Sequence, residues 1–372
     1  MYYENRKKEL PSISKKIIYE AYWLRAIACM AVVITHAVNT TLINNDSSDS
    51  QFQEYLLIML RFMAFFGTPA FVFISELLIS RAYPTKIPQG FLIKRVKYLL
   101  FPYVFMGAVF AVIESNSQRE FFQKTFFNLL LGGYTGYFIL IIFQFYILHI
   151  LFSRFLKTLP VKPVIFISFI INLLYLALFN FTEPFPGALG EYLWARGYWM
   201  PFIGWIFYFI LGYYSGLHFD LLKEKIKQYR ALIFTVPPLA LLLLILLVRA
   251  DIVTVVSSKR LDMPIYTAGV IMVILYLTSK YRKTPEFILV ISKYSFNIYL
   301  LHKIFLFYLP PIEGTSPFIY FVISFLSSLM FSVLLAKLLS FFKFSHYLIG
   351  KPLPDPRSIQ EDKFSTKLNG TN

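Results

Sequence analysis

The first long apolar run of the chain carries an arginine and a histidine where a membrane-spanning helix should be apolar. The run extends from about Leu24 to Ile43, which is long enough to cross a bilayer as one helix. Arg25 and His36 return to nearly the same helical face, with a rise of roughly 16 Å between them. Ionisable groups in such a helix are costly unless they face protein or water. The run therefore predicts a helix with a functional face, which offers a fixed cation near one membrane surface and a titratable imidazole about three turns deeper.

Composition indicates a polytopic membrane protein. Of 372 residues, 57% are hydrophobic and 19% aromatic, but only 15% are charged, and a soluble domain could not bury that much apolar surface. The segment before Glu20 is polar and basic, and the run after it is too long for a signal peptide, so we expect it to stay attached. Cys29 is the only cysteine, which excludes an intramolecular disulfide and a thiolate metal cluster, and no metal site is predicted.

Nine further apolar runs follow the first. Their approximate bounds are Leu56–Ile79, Tyr98–Ile113, Asn128–Phe152, Pro163–Phe181, Trp199–Leu217, Ala231–Val248, Pro264–Ser279, Ile288–Pro310 and Phe318–Phe342. The sequence thus predicts an all-α bundle of about ten transmembrane helices over residues 19–343. A basic N-terminus (residues 1–18) precedes the bundle, and a polar tail (residues 344–372) follows it. The connections are short, so any chemistry is expected within the bundle.

The net charge of +16 could indicate a nucleic-acid partner, but the distribution of basic residues argues otherwise. They concentrate in both termini and in every second loop. The opposite loops contain only six: Arg119, Lys124, Arg196, Arg249, Lys259 and Arg260. Such a bias marks cytoplasmic loops. We therefore predict cytoplasmic termini, a lipid bilayer around the chain and no nucleic-acid partner.

A cluster of cations lies at the mouth of the third predicted span. Lys94, Arg95 and Lys97 occur within Phe91–Tyr103. They could bind the phosphates of an anionic cofactor. The alternative is that they contact lipid headgroups, as loop cations at this side of a membrane ordinarily do. Spacing alone leaves both interpretations open.

Two further sites place polar groups inside predicted spans. His302 lies in the outer half of the ninth span, where it either makes an interhelical hydrogen bond or takes part in chemistry. Glu76 lies toward the cytoplasmic end of the second span, at the depth of Arg25. An unpaired carboxylate there would be costly, so we predict a buried ion pair between Glu76 and Arg25.

Three motifs resemble those of the membrane acyltransferase 3 family, whose members O-acylate surface polysaccharides. The first is the Arg25-x10-His36 spacing. The second is Ser292-Lys-Tyr-Ser-Phe-Asn-Ile-Tyr-Leu-Leu-His302, the most specific match. The third is Arg95-Val-Lys-Tyr98 before Pro102-Tyr103, which resembles an Arg-x-x-Arg stretch associated with acyl-coenzyme A; Tyr98 replaces the second arginine, so Lys94 or Lys97 would substitute. Where typical members show Ser-Gly-Phe, this chain has Ser75-Glu76-Leu77.

Further matches resemble the intercellular adhesion protein C group of that family. They are Tyr22-Trp-Leu-Arg-Ala-Ile27, Phe66-Gly-Thr-Pro69, Gly136-Tyr-Phe138, Gln144-Phe145, Gly204-Trp-Ile-Phe-Tyr-Phe209 and Leu211-Gly212. This group is associated with biofilm poly-N-acetylglucosamine, and both O-succinyltransferase and polymer-export roles are assigned to it.

The resemblance implies a multi-pass cell-membrane enzyme that moves an acetyl or succinyl group from cytoplasmic acyl-CoA to a hydroxyl of a surface polysaccharide. His36 is expected as general base, with His302 and Tyr299 orienting the imidazole or the oxyanion. Acyl-CoA would contact Arg25, Arg95, Lys97 and Lys94. Two alternatives stay open: a polysaccharide exporter that makes no bond, and a structural partner of a polysaccharide synthase.

Overall fold

The computed structural model describes residues 18–44, 51–281 and 283–354. Within these ranges the chain forms α-helices and no β-strand. The helices are α1 (Tyr19–Asn44), α2 (Gln51–Ala64), α3 (Gly67–Ala82), α4 (Phe91–Arg95), α5 (Phe101–Glu114), α6 (Gln118–Leu130), α7 (Phe138–Leu156), α8 (Val161–Phe181), α9 (Ala188–Ala195), α10 (Ile206–Leu217), α11 (Phe219–Gln228), α12 (Arg230–Arg249), α13 (Met263–Thr278), α14 (Glu286–Tyr308), α15 (Pro317–Leu339) and α16 (Ser345–Leu348). The predicted all-α membrane class is confirmed.

All ten apolar runs form helices, but not all of these helices are long and apolar enough to cross a membrane. Seven helical segments are long and apolar enough: Tyr19–Asn44, Gln51–Ala82, Phe91–Glu114, Gln118–Leu156, Val161–Phe181, Arg230–Arg249 and Pro317–Leu339. An eighth span requires Phe202–Leu217 to be joined to α11 across a bend of 101°. Helix α13 is short, and α14 carries Glu286, Lys293 and Lys303. The count of ten crossings and the cytoplasmic termini therefore stay predictions.

Helix α1 lies at the centre of the bundle, where it packs against α2, α3, α13, α14 and α15. Small buried residues on α1, such as Ala26 and Ala28, allow this close packing on several sides. Helices α1 and α14 run parallel. Cys29 Sγ lies 3.8 Å from the Ser295 carbonyl oxygen, and about two turns further along both helices the rings of His36 and His302 lie together. We call the two ends of the bundle the Arg25 end and the His36 end.

A break between α2 and α3 shapes the His36 end. Pro69 has no N–H to donate to the Phe65 carbonyl, so a continuous helix would lose a hydrogen bond there. Gly67 begins α3 against α1, where an added Cβ would lie 2.8 Å from the Ala28 carbonyl oxygen. The missing side chain thus lets the break pack directly on the central helix.

Helices α3 and α10 form another close contact through Gly212 and Gly216. A Cβ on Gly212 would lie 2.6 Å from the Phe73 carbonyl oxygen. Glycines four residues apart lie on one helical face and let two membrane helices approach at backbone distance. This contact holds Glu76 of α3 in a closed interior.

The segment after α15 folds back on the Arg25 end. Asn297 donates to the carbonyl oxygens of Ile349 and Gly350 at 2.9 and 3.1 Å, and Tyr347 stacks on Tyr98. Residues 1–17 and 355–372 lie outside the described residues. The predicted limits of the N-terminal segment and of the tail stay predictions.

Candidate active site

His36 and His302 meet at the core of the bundle. Their ring centroids are 5.2 Å apart, because the parallel packing of α1 and α14 brings them to one level. His302 is fully buried, and its Nδ1 lies 2.7 Å from the Ile298 carbonyl oxygen. A carbonyl only accepts, so Nδ1 donates, and in the neutral imidazole Nε2 is then an acceptor. Nε2 has no hydrogen-bond partner among the described residues.

A cavity of about 180 Å³ opens beside His36. Four segments line it: α1, the end of α2 with the break before α3, Tyr137 ahead of α7, and the loop between α12 and α13. The polar lining groups include Asn39, Arg61 and Lys259. The half-buried imidazole therefore faces a polar chamber and not the apolar interior.

Arg61 presents an incompletely bonded guanidinium to this cavity. Its Nη1 donates to Asn39 Oδ1 at 2.8 Å. Its Nε is buried and has no hydrogen-bond partner in the part of the chain that the structure describes. A buried donor without an acceptor is costly. An acceptor on a bound ligand would satisfy Arg61 Nε.

Lys259 is the second cation of the cavity. Its Nζ lies 4.0 Å from the Trp199 ring centroid and 5.2 Å from that of Tyr137, which is cation–π geometry. Burial, together with the nearby Arg196 charge, lowers the pKa of the Lys259 ammonium to about 7. The ammonium thus changes charge near neutral pH.

The adjacent Arg260 orders the loop that carries Lys259. It is fully buried and donates to both Asp262 carboxylate oxygens, at 3.0 and 2.6 Å. Its Nη1 donates to the carbonyl oxygens of Val253 and Val255 at 2.8 and 3.0 Å. A bidentate pair with two backbone bonds satisfies the buried charge and fixes the loop against the cavity.

Tyr299, expected to orient the imidazole or the oxyanion, directs its hydroxyl elsewhere. The hydroxyl donates to the Thr135 carbonyl oxygen. Thr135 is two residues before Tyr137, which lines the cavity. The structure therefore connects Tyr299 to the cavity wall.

Arg25 and Arg95 approach each other at the opposite end of the bundle. Arg95 lies over the Phe91 and Tyr146 rings, at 4.8 and 5.2 Å from the centroids. Arg25 interacts electrostatically with Tyr146 and with Arg95. Two cations that share one tyrosine form a positive surface suited to an anion.

Lys94 and Lys97, expected beside these arginines, are exposed, whereas Arg95 is partly buried. A π-helical segment at Val96–Leu100 changes the helical phase directly after Arg95. Tyr98 stacks on Tyr347, with Lys351 Nζ 5.9 Å from its ring centroid. The C-terminal segment therefore brings a cation close to Tyr98.

The predicted ion pair of Glu76 with Arg25 is wrong. Glu76 Oε1 contacts His149 Nδ1 at 2.5 Å, and both side chains are fully buried. His149 Nε2 donates to the Tyr83 carbonyl oxygen at 3.0 Å. Equal depth along two helices did not determine which side chains face each other.

Sequence reasoning missed Arg61, Lys259 and His149 as parts of polar sites. Arg61 lies inside the second apolar run, so its position was itself a signal. Lys259 was one of few basic residues in its set of loops. His149 carried no comparable signal, because a lone histidine in an apolar helix does not identify its partner. In the described residues no group of three His, Cys, Asp or Glu side chains is arranged to hold a metal.

Comparison with known proteins identifies the family. The acyltransferase 3 model, described as an acyltransferase domain, matches residues 18–337. The chain belongs to the membrane acyltransferase 3 family.

Two named relatives of this family member cover most of its length. It is 36% identical over 295 residues to the "Putative membrane-bound acyltransferase YfiQ" of Bacillus subtilis, covering 78% of this chain and 81% of the relative. It is 32% identical over 344 residues to the "Probable poly-beta-1,6-N-acetyl-D-glucosamine export protein" of Staphylococcus aureus, covering 91% and 97%. No solved structure matches it. The resemblance predicted from the motifs is confirmed, and the protein is a multi-pass membrane protein.

Proposed function

We propose that this protein transfers an acetyl or succinyl group from cytoplasmic acyl-CoA to a hydroxyl of a cell-surface polysaccharide. The observation that carries the proposal is the separation of two polar sites along α1. His36 faces a polar cavity at one end, and the electrostatically coupled Arg25 and Arg95 lie at the other. Such a division suits an anionic donor and a polymeric acceptor that arrive from opposite sides.

In the proposed reaction His36 acts as general base. It takes the proton from an acceptor hydroxyl while the oxygen attacks the thioester carbonyl. A C–O bond forms and the C–S bond breaks as the tetrahedral intermediate collapses, and the proton passes to the departing thiolate. His302 Nε2, an acceptor without a partner among the described residues, would hold the N–H of His36 and so fix its tautomer.

The proposed donor site consists of Arg25 and Arg95, with Lys97 and Lys94 nearer the surface. Arginine pairs with phosphate through two parallel hydrogen bonds. In this scheme the nucleotide stays at the Arg25 end, and the pantetheine arm extends between helices toward His36. Tyr299 would act as a positioning residue through Thr135 and the cavity wall.

The test is His36→Ala, compared with His218→Ala, which alters an exposed histidine outside the cavity. A general base supplies about 10²- to 10⁴-fold of rate. We expect His36→Ala to lose acyl transfer by about that factor while the protein stays folded and binds acyl-CoA, and His218→Ala to behave as wild type. Arg25→Ala should weaken acyl-CoA binding first. Unchanged acyl content of the surface polysaccharide in His36→Ala cells would contradict the proposal.

Polysaccharide export without chemistry is the second candidate, favoured by the name of the Staphylococcus aureus relative. The two functions separate when acyl groups per sugar unit and exported polymer are measured independently. Normal acylation with reduced export in His36→Ala cells would favour the exporter. A polysaccharide synthase partner is compatible with either candidate.

A further inference from the structure

The cavity beside His36 carries positive charge without a matching acid. Arg61 and Lys259 line it, and none of its lining residues is Asp or Glu. Among the ion pairs within the described residues, none includes Arg61 or Lys259. Lys303 adds to the positive field at His36. Buried charges are ordinarily paired, so these cations favour an anionic ligand.

The donors of the cavity are held in place before any ligand arrives. Asn39 holds one arm of the Arg61 guanidinium, which leaves Nε buried and unbonded within the described residues. The ammonium of Lys259 lies over the Trp199 ring. The backbone of the same residue is also held, because its carbonyl oxygen accepts from Asn180 Nδ2 at 3.3 Å. Donors fixed in this way lose little freedom when they bind an anion.

We propose that this cavity binds a carboxylate or phosphate group of the acceptor, so that the acceptor is an acidic glycan. The inference rests on the proposed function, which assigns the donor to the Arg25 end. Arg61 and Lys259 supply the charge-assisted hydrogen bonds, and His36 faces a hydroxyl on the same or the next sugar. The volume of about 180 Å³ is below the range of about 300–1,000 Å³ typical of ligand pockets, so the cavity suits one anionic group and its neighbouring atoms.

Binding of matched small sugars to the purified full-length protein in detergent tests the inference. Glucose, glucuronic acid and glucose 6-phosphate differ in the charge at C6, and equilibrium dialysis is done without acyl-CoA. We expect either or both acid sugars to bind about tenfold or more tightly than glucose. Arg61→Gln and Lys259→Gln should each remove most of that preference. Arg249→Gln, which removes an exposed cation at the last residue of α12, should keep it.

The pH dependence provides a second measurement with glucuronate, whose carboxylate stays ionised between pH 6 and pH 8. With a pKa of about 7, Lys259 is charged at the lower pH and largely neutral at the higher. Affinity should therefore fall about tenfold across this range, and Lys259→Arg should make it flat. The other groups facing Lys259 are Arg61, Arg196, Tyr137 and His36. A guanidinium and a phenol do not ordinarily titrate between pH 6 and pH 8, and His36→Gln isolates the contribution of the imidazole.

Several outcomes would overturn the inference. One is equal affinity for glucose and both acid sugars; another is a preference that survives Arg61→Gln and Lys259→Gln in folded protein. Binding of free succinate without binding of either acid sugar would assign the anion to the acyl group and reject an acidic acceptor. If the protein transferred acyl groups to glucose no more slowly than to the acid sugars, any of these results would leave the proposed function intact.

Discussion

At the scale of single residues, the pair of Glu76 and His149 combines complete burial with a defined proton arrangement. His149 Nε2 donates to the Tyr83 carbonyl oxygen, and Nδ1 faces Glu76 Oε1. One proton lies between the two groups, on the imidazole or on the carboxyl. The pair is therefore neutral overall in both forms, which makes its burial between α3 and α7 tolerable.

A double-mutant cycle on this pair identifies the partner of Glu76. Glu76→Ala and His149→Ala should each cost about 3–5 kcal/mol, because each leaves one buried group unpaired. Their combination should show a coupling of about 0.5–3 kcal/mol. The measurement is the free energy of unfolding in mixed micelles. For Glu76→Ala with Arg25→Ala we expect additivity within about 0.3–0.5 kcal/mol; strong coupling there would restore the arginine as partner.

Marking a residue as a site candidate and naming its partner require different kinds of information. His36 and His302 lie inside apolar runs, so the sequence marked both as candidate site residues. The structure brings their rings together on parallel helices. The partner of Glu76 depends on helix rotation and on which helix lies adjacent. Depth is a single coordinate, and it could not distinguish Arg25 on α1 from His149 on α7.

At the scale of helices, apolar runs predicted the positions of the main elements well. They did not predict the break before α3, although Pro69 marks it, or the folding of loop 251–262 around Arg260. The break supplies Phe65 to the cavity, and the loop supplies Lys259. The site was therefore less predictable than the fold, because half of its wall comes from segments without periodicity.

The contact of α10 with α3 gives the prediction that belongs to this scale. In Gly216→Ala the new Cβ would lie 2.1 Å from Ser80 Oγ and 2.2 Å from the Leu77 carbonyl oxygen. The hydroxyl can rotate away but the backbone oxygen cannot, so the helices must separate. We expect a loss of about 1–3 kcal/mol in the free energy of unfolding.

Gly204→Ala is the matched control for this substitution. Its Cβ would meet Tyr175 Cε1 at 3.5 Å, an ordinary contact, so the change should stay within about 0.5 kcal/mol. Ser80→Gly should rescue Gly216→Ala only in part, since the Leu77 carbonyl remains. Equal stability of Gly216→Ala and Gly204→Ala would show that the two helices do not pack at backbone distance.

At the scale of the whole molecule, the proposed mechanism depends on orientation. The Arg25 end must face the cytoplasm, because acyl-CoA is made there, and the cavity beside His36 must face the outside. The concentration of basic residues in alternate loops predicts that orientation. It also predicts that α13 and α14 cross, although one is short and the other carries charged residues.

Reporter fusions at five positions decide the orientation and the number of crossings together. With ten crossings, fusions at Asp251 and Glu313 should report the outside, and fusions at Lys283 and after Asn372 should report the cytoplasm. The expectation has a physical basis for α14, because the helix packs against α1 and α15, and Lys293 and Lys303 are partly buried. A fusion at Asp49, between α1 and α2, supplies the reference for the outer side.

If Asp251 and Lys283 report the same side, α13 does not cross, and every later segment changes its orientation. If Asp49 reports the cytoplasm, the cavity beside His36 faces the donor, and the division between an inner donor site and an outer acceptor site fails.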